Sequence, residues 1–473
     1  MTAWDDASFR RNRRAFLGRS AGSLGLMALA HLLGQESGRG RVFAAGQEIA
    51  KFPKARAKSV ICLFQHGGPS QMDLFDPKPA LARFDGKPYP GKLEIHFNTQ
   101  AGNVLASPFR FAPRGESGMV LSELLPHTSA IADEITLVRS MTTESVDHEA
   151  ALRLIHSGKI LAGRPTLGSW VIYALGSENR DLPAYVVLSD PGGLPVDGVR
   201  NWSSGWLPAV YQGTPFRSGA NPVLNLETPK TLTPEARGGQ LRFLDALNQA
   251  HLARHAGDTE LEARIANFET AARMQTAVPD ALNLDSEPKA IRSMYGLDNE
   301  VTREYGTRCL IARRLIERGV RFVQLFLSGQ PWDTHNKNAE MLKSLCARTD
   351  QPSAALVLDL RQRGLLDDTI VLWTGEFGRL PVSQGKDGRD HNRHGFSLWL
   401  AGGGFKHGYV HGATDDFGYS AVTDAVSVQD LQATILHTLG LDHRRLVFPH
   451  EGRDDSLTDH EVTHAKIVPA LLA

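Results

Sequence analysis

The sequence predicts an α/β protein with a mostly parallel sheet and helices on both of its faces. Short, continuous apolar runs alternate along the chain with longer segments of helical periodicity. A strand that is apolar at every position is typical of a sheet covered on both faces. Strands that alternate with helices favour parallel pairing.

The first predicted strand is 59–64, which ends at the loop Gly67-Gly68-Pro69. A buried strand that is stopped by Gly and Pro is the expected structure there. Further apolar runs predict strands at 135–138, 184–188, 320–327, 369–373 and 396–400. Apolar residues at helical spacing predict helices at 149–156, 167–175, 240–255, 258–275, 302–318, 353–363 and 428–439.

Three regions depart from this alternation. Residues 76–127 and 190–234 are rich in Pro and Gly and predict irregular excursions above the sheet. Trp202 and Trp206, in the second of these loops, could bind a sugar face, but irregular insertions usually bury their own aromatic side chains. Residues 235–300 predict a charged helical insertion that serves as a cap or an oligomer contact.

The first 45 residues predict an export signal. Arg13 and Arg14 precede a mild apolar run at 21–33, which is too short for a bilayer span of roughly 20 residues, and small residues follow at Ala44-Ala45. The paired arginines resemble a twin-arginine signal, which implies the twin-arginine translocase as a partner during export. The alternative is an amphipathic N-terminal helix. We expect a single mature domain at 46–473, not held in a membrane and periplasmic or secreted.

Composition excludes some classes of function. The 52 Lys and Arg residues balance 52 Asp and Glu residues. A net charge of zero gives no long-range electrostatic attraction to the phosphates of nucleic acid. Three cysteines, Cys62, Cys309 and Cys346, lie in apolar stretches and predict buried, inert thiols rather than a disulfide framework.

Polar clusters stand at the predicted strand ends, where ligands gather in open parallel sheets. Asp333 and His335 follow one strand and Glu376 follows another. His391 and His394 precede the last strand. Carboxylate and imidazole together suit Zn²⁺, Mn²⁺ or Fe²⁺, and these five residues are the candidate ligands. The alternatives are surface histidines and a surface ion pair between Glu376 and Arg379.

The ordered motifs resemble a bacterial family of unknown function, numbered 1501. They cover essentially all of the mature chain and lie at 67–79, 148–150, 164–170, 205–213, 332–335 and 374–379. That family is related to the alkaline phosphatase and sulfatase superfamily. The resemblance implies an alkaline phosphatase-like α/β sandwich and a divalent metal, with Zn, Mn and Ca as candidates. It also implies a hydrolase that cleaves phosphate or sulfate esters with a Ser, Thr or formylglycine nucleophile.

The chain also departs from the superfamily pattern. Glu376-Phe377 stands where the superfamily strand delivers an Asp-His pair to the metal. Gln65-His66 ends the first strand where a metal-binding Asp is usual, and Asp73 is a candidate substitute unless it serves only a turn. No cysteine has the Cys-x-Pro-x-Arg context of formylglycine, which excludes a sulfatase that uses that nucleophile.

By position, the nucleophile follows the strand at 135–138. Thr142, Thr143 and Ser145 lie there, ahead of a predicted helix, and Thr143 is favoured. Simple helix capping is the alternative for these hydroxyls. His148 is a further candidate for catalysis, and two arginines are candidate contacts for the substrate anion: Arg139 and Arg379.

Three hypotheses of function follow. The first is an exported, metal-dependent hydrolase of small-molecule or polysaccharide esters. The second is a non-catalytic exported binding or scaffold protein that retains the fold. The third is a carbohydrate-binding module that uses Trp202 and Trp206. The sequence makes no prediction of substrate identity or oligomeric state.

Overall fold

The predicted strands all join one sheet. The computed structural model describes residues 54–96, 101–217, 222–223, 233–255 and 259–473. Within these residues the sheet has nine strands. We label them β1 (Ser59–Phe64), β2 (Ile135–Thr142), β3 (Tyr185–Leu188), β4 (Thr214–Phe216), β5 (Phe322–Phe326), β6 (Thr369–Thr374), β7 (Phe396–Ala401), β8 (Tyr409–His411) and β9 (Val426–Ser427).

The sheet is mostly parallel, as predicted. Its strand order is β8-β2-β7-β6-β1-β5-β3-β4, and β9 also pairs with β2. Among these pairings only β7 runs antiparallel to its neighbours β2 and β6. Strand β1 lies at the centre, parallel to both β5 and β6.

Helices cover both faces of the sheet, which confirms the predicted α/β class. Alternate residues of β1 divide between two buried clusters: Ile61 and Leu63 enter one, and Val60 and Phe64 enter the other. This division follows from the period of two in a strand. The longer helices are α1 (His148–Ser157), α2 (Leu167–Leu175), α3 (Pro234–Leu252), α4 (Thr259–Leu282), α5 (Arg303–Glu317), α6 (Asn338–Gln362) and α7 (Val428–Thr438).

Helix α6 differs from its prediction, because it begins fifteen residues before position 353 and continues through Pro352. Proline lacks an N–H donor and usually ends or kinks a helix, which is why the sequence pattern placed the start after it. Shorter helices lie at Gln71–Leu74, Pro79–Phe84, Pro126–Ala130, Lys289–Met294 and His460–Thr463.

Small two-stranded sheets accompany the nine-stranded sheet in the described residues. Short strands form the antiparallel pairs Ala101–Val104 with Val382–Gln384, Phe111–Arg114 with Met119–Ser122, Gly378–Arg379 with His391–Asn392, Ala413–Thr414 with Ala421–Thr423, and Phe448–His450 with Arg453–Asp455. Helix α4 buries Met274 and Val278 in the core.

Both tryptophans of the predicted aromatic loop pack against other aromatic side chains, with Trp202 buried and Trp206 partly buried. Trp202 is only 1% exposed and contacts Phe326. Trp206 stacks on Phe448 and His450. This packing agrees with the structural interpretation of the loop and leaves Trp202 inaccessible to a sugar.

The predicted export signal at 1–45 lies outside the described residues. Among the helices of the described part of the chain, none combines the length and apolar character that a membrane span requires. The three cysteines are buried, and burial raises the pKa of the Cys62 thiol to about 12. A thiol with that pKa stays protonated, in agreement with the predicted inert role.

Candidate metal centre

The topology brings the polar clusters to one edge of the sheet. Strands β1, β2, β5 and β6 all run in one direction, so the residues that follow them share an edge. Because β7 runs the other way, the residues before it reach the same edge. This places the segments at 65–68, 143–148, 327–335, 375–379 and 390–395 around a common point.

Four side chains converge there: His148, Asp333, His335 and His391. One potential ligand atom from each lies within 4.8 Å of the others. Asp333 is central to the group. Its Oδ1 lies 2.9 Å from His335 Nε2 and 3.1 Å from His391 Nε2, and its Oδ2 lies 3.3 Å from His148 Nε2.

Each imidazole ring also makes a contact through its Nδ1 atom, on the side of the ring away from Asp333. His148 Nδ1 lies 2.7 Å from Glu376 Oε1, and His391 Nδ1 lies 2.6 Å from the carbonyl oxygen of Val146. His335 Nδ1 contacts Gln384 Oε1. These partners are all acceptors, so each Nδ1 carries the proton and donates it.

When its ring is neutral, each imidazole therefore presents an Nε2 lone pair to the Asp333 carboxylate. Acceptors that face one another repel unless a cation lies among them. Without a metal, a second proton on His148, whose pKa is raised to about 9, relieves the repulsion at that ring. An imidazole fixed through Nδ1 by a carboxylate or carbonyl is the usual arrangement of a metal-ligating histidine. One carboxylate and three imidazoles fit Zn²⁺, Mn²⁺ or Fe²⁺ better than the all-oxygen set that Ca²⁺ prefers.

The electrostatics of the group follow from burial and these contacts. Burial lowers the pKa of His391 to about 4, with the Arg379 and His148 charges acting in the same direction. For His148, burial is outweighed by hydrogen bonds to Asp333 and Glu376, which raise its pKa to about 9. Burial alone would raise the pKa of Asp333. The hydrogen bonds with the three imidazoles and the charge of Arg379 outweigh burial and hold this pKa well below its usual range.

The local sequence explains how these side chains are positioned. Asp147 caps helix α1 by accepting the Ala150 N–H at 3.0 Å, which fixes His148 in the first turn. Gly67 has φ +110° and donates its N–H to Glu376 Oε1 at 2.9 Å. A Cβ on Gly67 would lie 2.3 Å from Asp333 N, so only glycine permits this approach.

Arg379, the candidate contact for a substrate anion, is bound to the surrounding loops. Its side chain is fully buried. It donates to the carbonyl of Gly68 at 2.9 Å, to Asp333 Oδ1 at 2.7 Å, to Arg389 O at 3.0 Å and also to the carbonyl of Gly67. The guanidinium therefore joins the β1 loop to Asp333.

Asp73, predicted as a substitute ligand, lies outside the group. Its carboxylate accepts Arg389 Nε at 2.8 Å, Ser70 Oγ at 2.6 Å and Asn338 Nδ2 at 2.9 Å. Although burial raises the pKa of Asp73, the charge of Arg389 and the hydrogen bonds from Arg389 and Ser70 lower it below its usual range overall. The Asp73 carboxylate is therefore engaged by protein groups and serves a structural ion pair with Arg389.

His394 and Arg139 are not brought to the group either. His394 Nε2 lies 2.8 Å from Glu94 Oε2 at a partly exposed position. Arg139 donates to Val120 O at 3.2 Å, and its Nε lies 3.8 Å from Asp76 Oδ1. Burial lowers the pKa of Arg139.

The two candidate threonines differ in their surroundings. Thr142 Oγ1 lies 3.5 Å from Val426 O. Thr143 Oγ1 is buried and has no hydrogen-bond partner among the described residues. The backbone N–H of Thr143 donates to Arg393 O at 3.0 Å, which ties this segment to the loop that carries His391.

Sequence reasoning missed two roles. His148 joins the group as a potential ligand, although it was predicted as a catalytic residue. Glu376, predicted as a ligand, holds His148 and Gly67. The sequence indicated only that both residues lie at the same edge of the sheet. It could not assign these roles, because neither the direction nor the partner of a side chain can be derived from spacing along the chain.

Comparisons with known proteins give one family and several distant structures. The model of a family described as protein of unknown function (DUF1501) matches residues 57–472. A search of curated protein sequences finds no match. A sulfatase from Pseudoalteromonas sp., PsFucS1, is 12% identical, with a TM-score of 0.35, over 88% of this chain and 70% of that chain.

Two further structures are similarly distant. The alkaline phosphatase of the Antarctic bacterium TAB5 is 12% identical, with a TM-score of 0.32, over 82% of this chain and 99% of that chain. The phosphonate monoester hydrolase of Silicibacter pomeroyi is 11% identical, with a TM-score of 0.33, over 86% and 77% of the two chains. Fold does not imply function, so the assignment of an activity depends on the site.

Proposed function

The chain belongs to the DUF1501 family, and we propose that it is an exported, metal-dependent hydrolase of phosphate or sulfate esters. The convergence of His148, Asp333, His335 and His391 is the observation that carries the proposal. Its substrate would be a small-molecule or polysaccharide ester.

The protein's own residues have distinct roles in this proposal. His148, Asp333, His335 and His391 would hold a divalent metal. When bound, that metal would screen negative charge on the transferring group and favour ionisation of a nearby nucleophile. Glu376 and Arg379 are positioning residues, because they act through His148 and Asp333.

Thr143 is the proposed nucleophile. Its hydroxyl is buried and has no hydrogen-bond partner in the described part of the chain, so no structural contact competes for it. The hydroxyl of Thr142 lies near Val426 O instead. Attack by Thr143 would form an ester with the transferred group and release the alcohol of the substrate, and water would then hydrolyse that ester.

One observation favours the second hypothesis, a non-catalytic binding or scaffold protein. The two arginines predicted to contact the substrate anion, Arg139 and Arg379, are engaged with protein groups. Neither of these two arginines would then be left to bind the substrate anion beside the metal.

Metal content is the first test. Purified protein would be incubated with Zn²⁺, Mn²⁺, Fe²⁺ or Ca²⁺, dialysed without chelator and analysed by elemental mass spectrometry. We expect one equivalent of metal in the wild type and none in His391→Ala. His394→Ala serves as the matched control, because His394 lies outside the group. A folded protein that retains no metal under any of these conditions would contradict the proposal.

Activity separates the two hypotheses. Metal-loaded protein would be assayed with aryl phosphate and aryl sulfate esters. Turnover that is lost in Asp333→Asn supports the hydrolase. Stoichiometric metal without turnover of either ester class supports the non-catalytic hypothesis.

Export is a separate part of the proposal, and it depends on Arg13 and Arg14. We expect Arg13→Lys with Arg14→Lys to retain the precursor in the cytoplasm of a bacterial host, measured by cell fractionation. Unchanged export of that double variant would contradict the twin-arginine route.

A further inference from the structure

A second polar cavity lies on the flank of helix α1. Its volume is about 190 Å³, and Arg153, Arg164, Arg200, His156 and Asp197 are among its lining residues. His156 lies eight residues after His148 on the same helix, a rise of about 12 Å. The cavity is therefore a separate place from the metal centre.

Three arginines and one carboxylate are among the lining residues. Asp197 accepts Arg153 Nε at 3.0 Å and Arg200 NH1 at 2.9 Å. The Asp197 side chain is 2% exposed and the Arg200 side chain is 62% exposed. Asp197 is thus covered, while three guanidinium groups border the cavity. Two of them also have carboxylate partners outside the lining: Arg153 lies 3.7 Å from Glu149 and Arg164 lies 3.3 Å from Asp455.

His156 adds a neutral donor whose tautomer is fixed by its neighbours. Burial raises the pKa of Tyr185, so its hydroxyl keeps its proton and donates to Gln324 Oε1 at 2.5 Å. The amide Nε2 of Gln324 then faces His156 Nδ1 at 3.2 Å and donates to it. The proton of His156 is therefore on Nε2, on the side of the ring that Gln324 does not occupy.

Two buried N–H donors around the cavity lack acceptors among the described residues. They are His156 Nε2 and Arg164 Nε. Arg164 is held by Asp455 Oδ1 at 3.3 Å, by Ser456 O at 3.2 Å and by the ring of Trp206, so its guanidinium is fixed in place. Buried donors without acceptors are rare in folded proteins and point to a missing partner.

The missing partner must accept hydrogen bonds, and the three guanidinium groups favour one that carries negative charge. A cavity of 190 Å³ has room for about six water molecules at about 30 Å³ each, which is enough for a tetrahedral or planar oxyanion. Arginine forks match the geometry of such groups.

We propose that this cavity, lined by Arg153, Arg164, Arg200 and His156, binds an oxyanion: a sulfate, phosphate or carboxylate group. The site is separate from the metal centre, and only the kinetic comparison with an ester rests on the proposed hydrolase function. The oxyanion is either a free ion or a charged group on a larger substrate.

Calorimetric titration tests the site without metal. Sodium sulfate, phosphate and acetate would each be titrated into Asp333→Asn protein and into chelator-treated wild type, so that binding through the metal centre is removed. We expect saturable binding of at least one of these ions in both preparations.

Two variants locate that binding. Arg200→Gln is expected to raise the Kd about tenfold or more, because it removes a charge-assisted donor at an exposed position. Arg444→Gln is the matched control, since Arg444 is 61% exposed and lies beside Asp442 in the same way. Absence of saturable binding, or equal affinity in the two variants, would overturn the proposal.

Kinetics distinguish the source of the oxyanion. If the group belongs to a substrate, Arg200→Gln raises KM for an ester that carries a second anionic group and leaves kcat unchanged. An unchanged KM, together with weakened titration, identifies a free ion as the ligand.

Discussion

Glu376 Oε1 accepts the Nδ1–H of His148 at 2.7 Å, and this contact joins the end of strand β6 to the first turn of helix α1. The same carboxylate accepts the N–H of Gly67 after strand β1. Glu376 is fully buried. Three loops of the candidate centre are therefore fixed by one side chain that is not itself among the four converging groups.

This contact predicts that Glu376 controls metal affinity without being a ligand. Glu376→Gln keeps an acceptor for His148 but removes the charge that raises the basicity of its ring. We expect metal affinity to fall about 10- to 100-fold, measured by competition with a chromophoric chelator. Glu461→Gln, at an exposed position, is the control. Equal affinity of both variants would show that Glu376 does not tune the centre.

A second prediction concerns the close approach at Gly67. Gly67→Ala places a Cβ 2.3 Å from Asp333 N at φ +110°, whereas Gly86→Ala has φ +71° and nothing within 4 Å. We expect the Gly86 change to lower the free energy of unfolding by about 1–2 kcal/mol through backbone strain alone. The Gly67 change should lower it by about 1–3 kcal/mol more and also weaken metal binding.

Chemical denaturation and metal competition measure both effects. Because Gly86 lies outside the candidate centre, Gly86→Ala should retain the wild-type metal affinity. Similar stabilities for the two variants, with metal binding intact in both, would contradict the argument from the Gly67–Asp333 contact.

The scaffold of this site could be predicted from the sequence, and its contacts could not. Apolar runs located β1, and motifs at strand ends located Asp333 and His391. The contacts of Asp73 show why the remainder was missed. Its partner Arg389 is 316 residues away along the chain. Only the folded structure shows which of several strand-end carboxylates meets an arginine and which meets imidazoles.

A third prediction follows from that ion pair. Asp73→Asn leaves the buried guanidinium of Arg389 without its counter-charge, which should lower the free energy of unfolding by about 3–5 kcal/mol. Metal stoichiometry should be unchanged, because Asp73 lies outside the four converging groups. Asp416→Asn, at an exposed position, is expected to change neither quantity. Loss of metal in a folded Asp73→Asn protein would contradict this assignment.

The pH dependence of the same variant has a definite sign. The pKa of Asp73 is lowered in the folded protein by Arg389 and the Ser70 hydrogen bond, so its contribution to stability is fully present above the unfolded pKa and is lost as the pH falls through the folded pKa. We therefore expect a constant stability difference between wild type and Asp73→Asn from pH 8 to pH 5. A difference that shrinks across this range would show that Asp73 is protonated in the folded protein.

The last prediction concerns the nucleophile. The Thr143 hydroxyl is buried without a partner in the described structure, so Thr143→Val removes no native hydrogen bond and should preserve stability. If the protein is a hydrolase that uses this hydroxyl, kcat should fall about a thousandfold or more while metal content stays unchanged. Thr142→Val is the matched control, since it changes the same residue type one position earlier and should keep most of the activity.

Single-turnover assays with an aryl ester would separate loss of the chemical step from loss of substrate binding. Full activity in Thr143→Val, or loss only in Thr142→Val, would rule out Thr143.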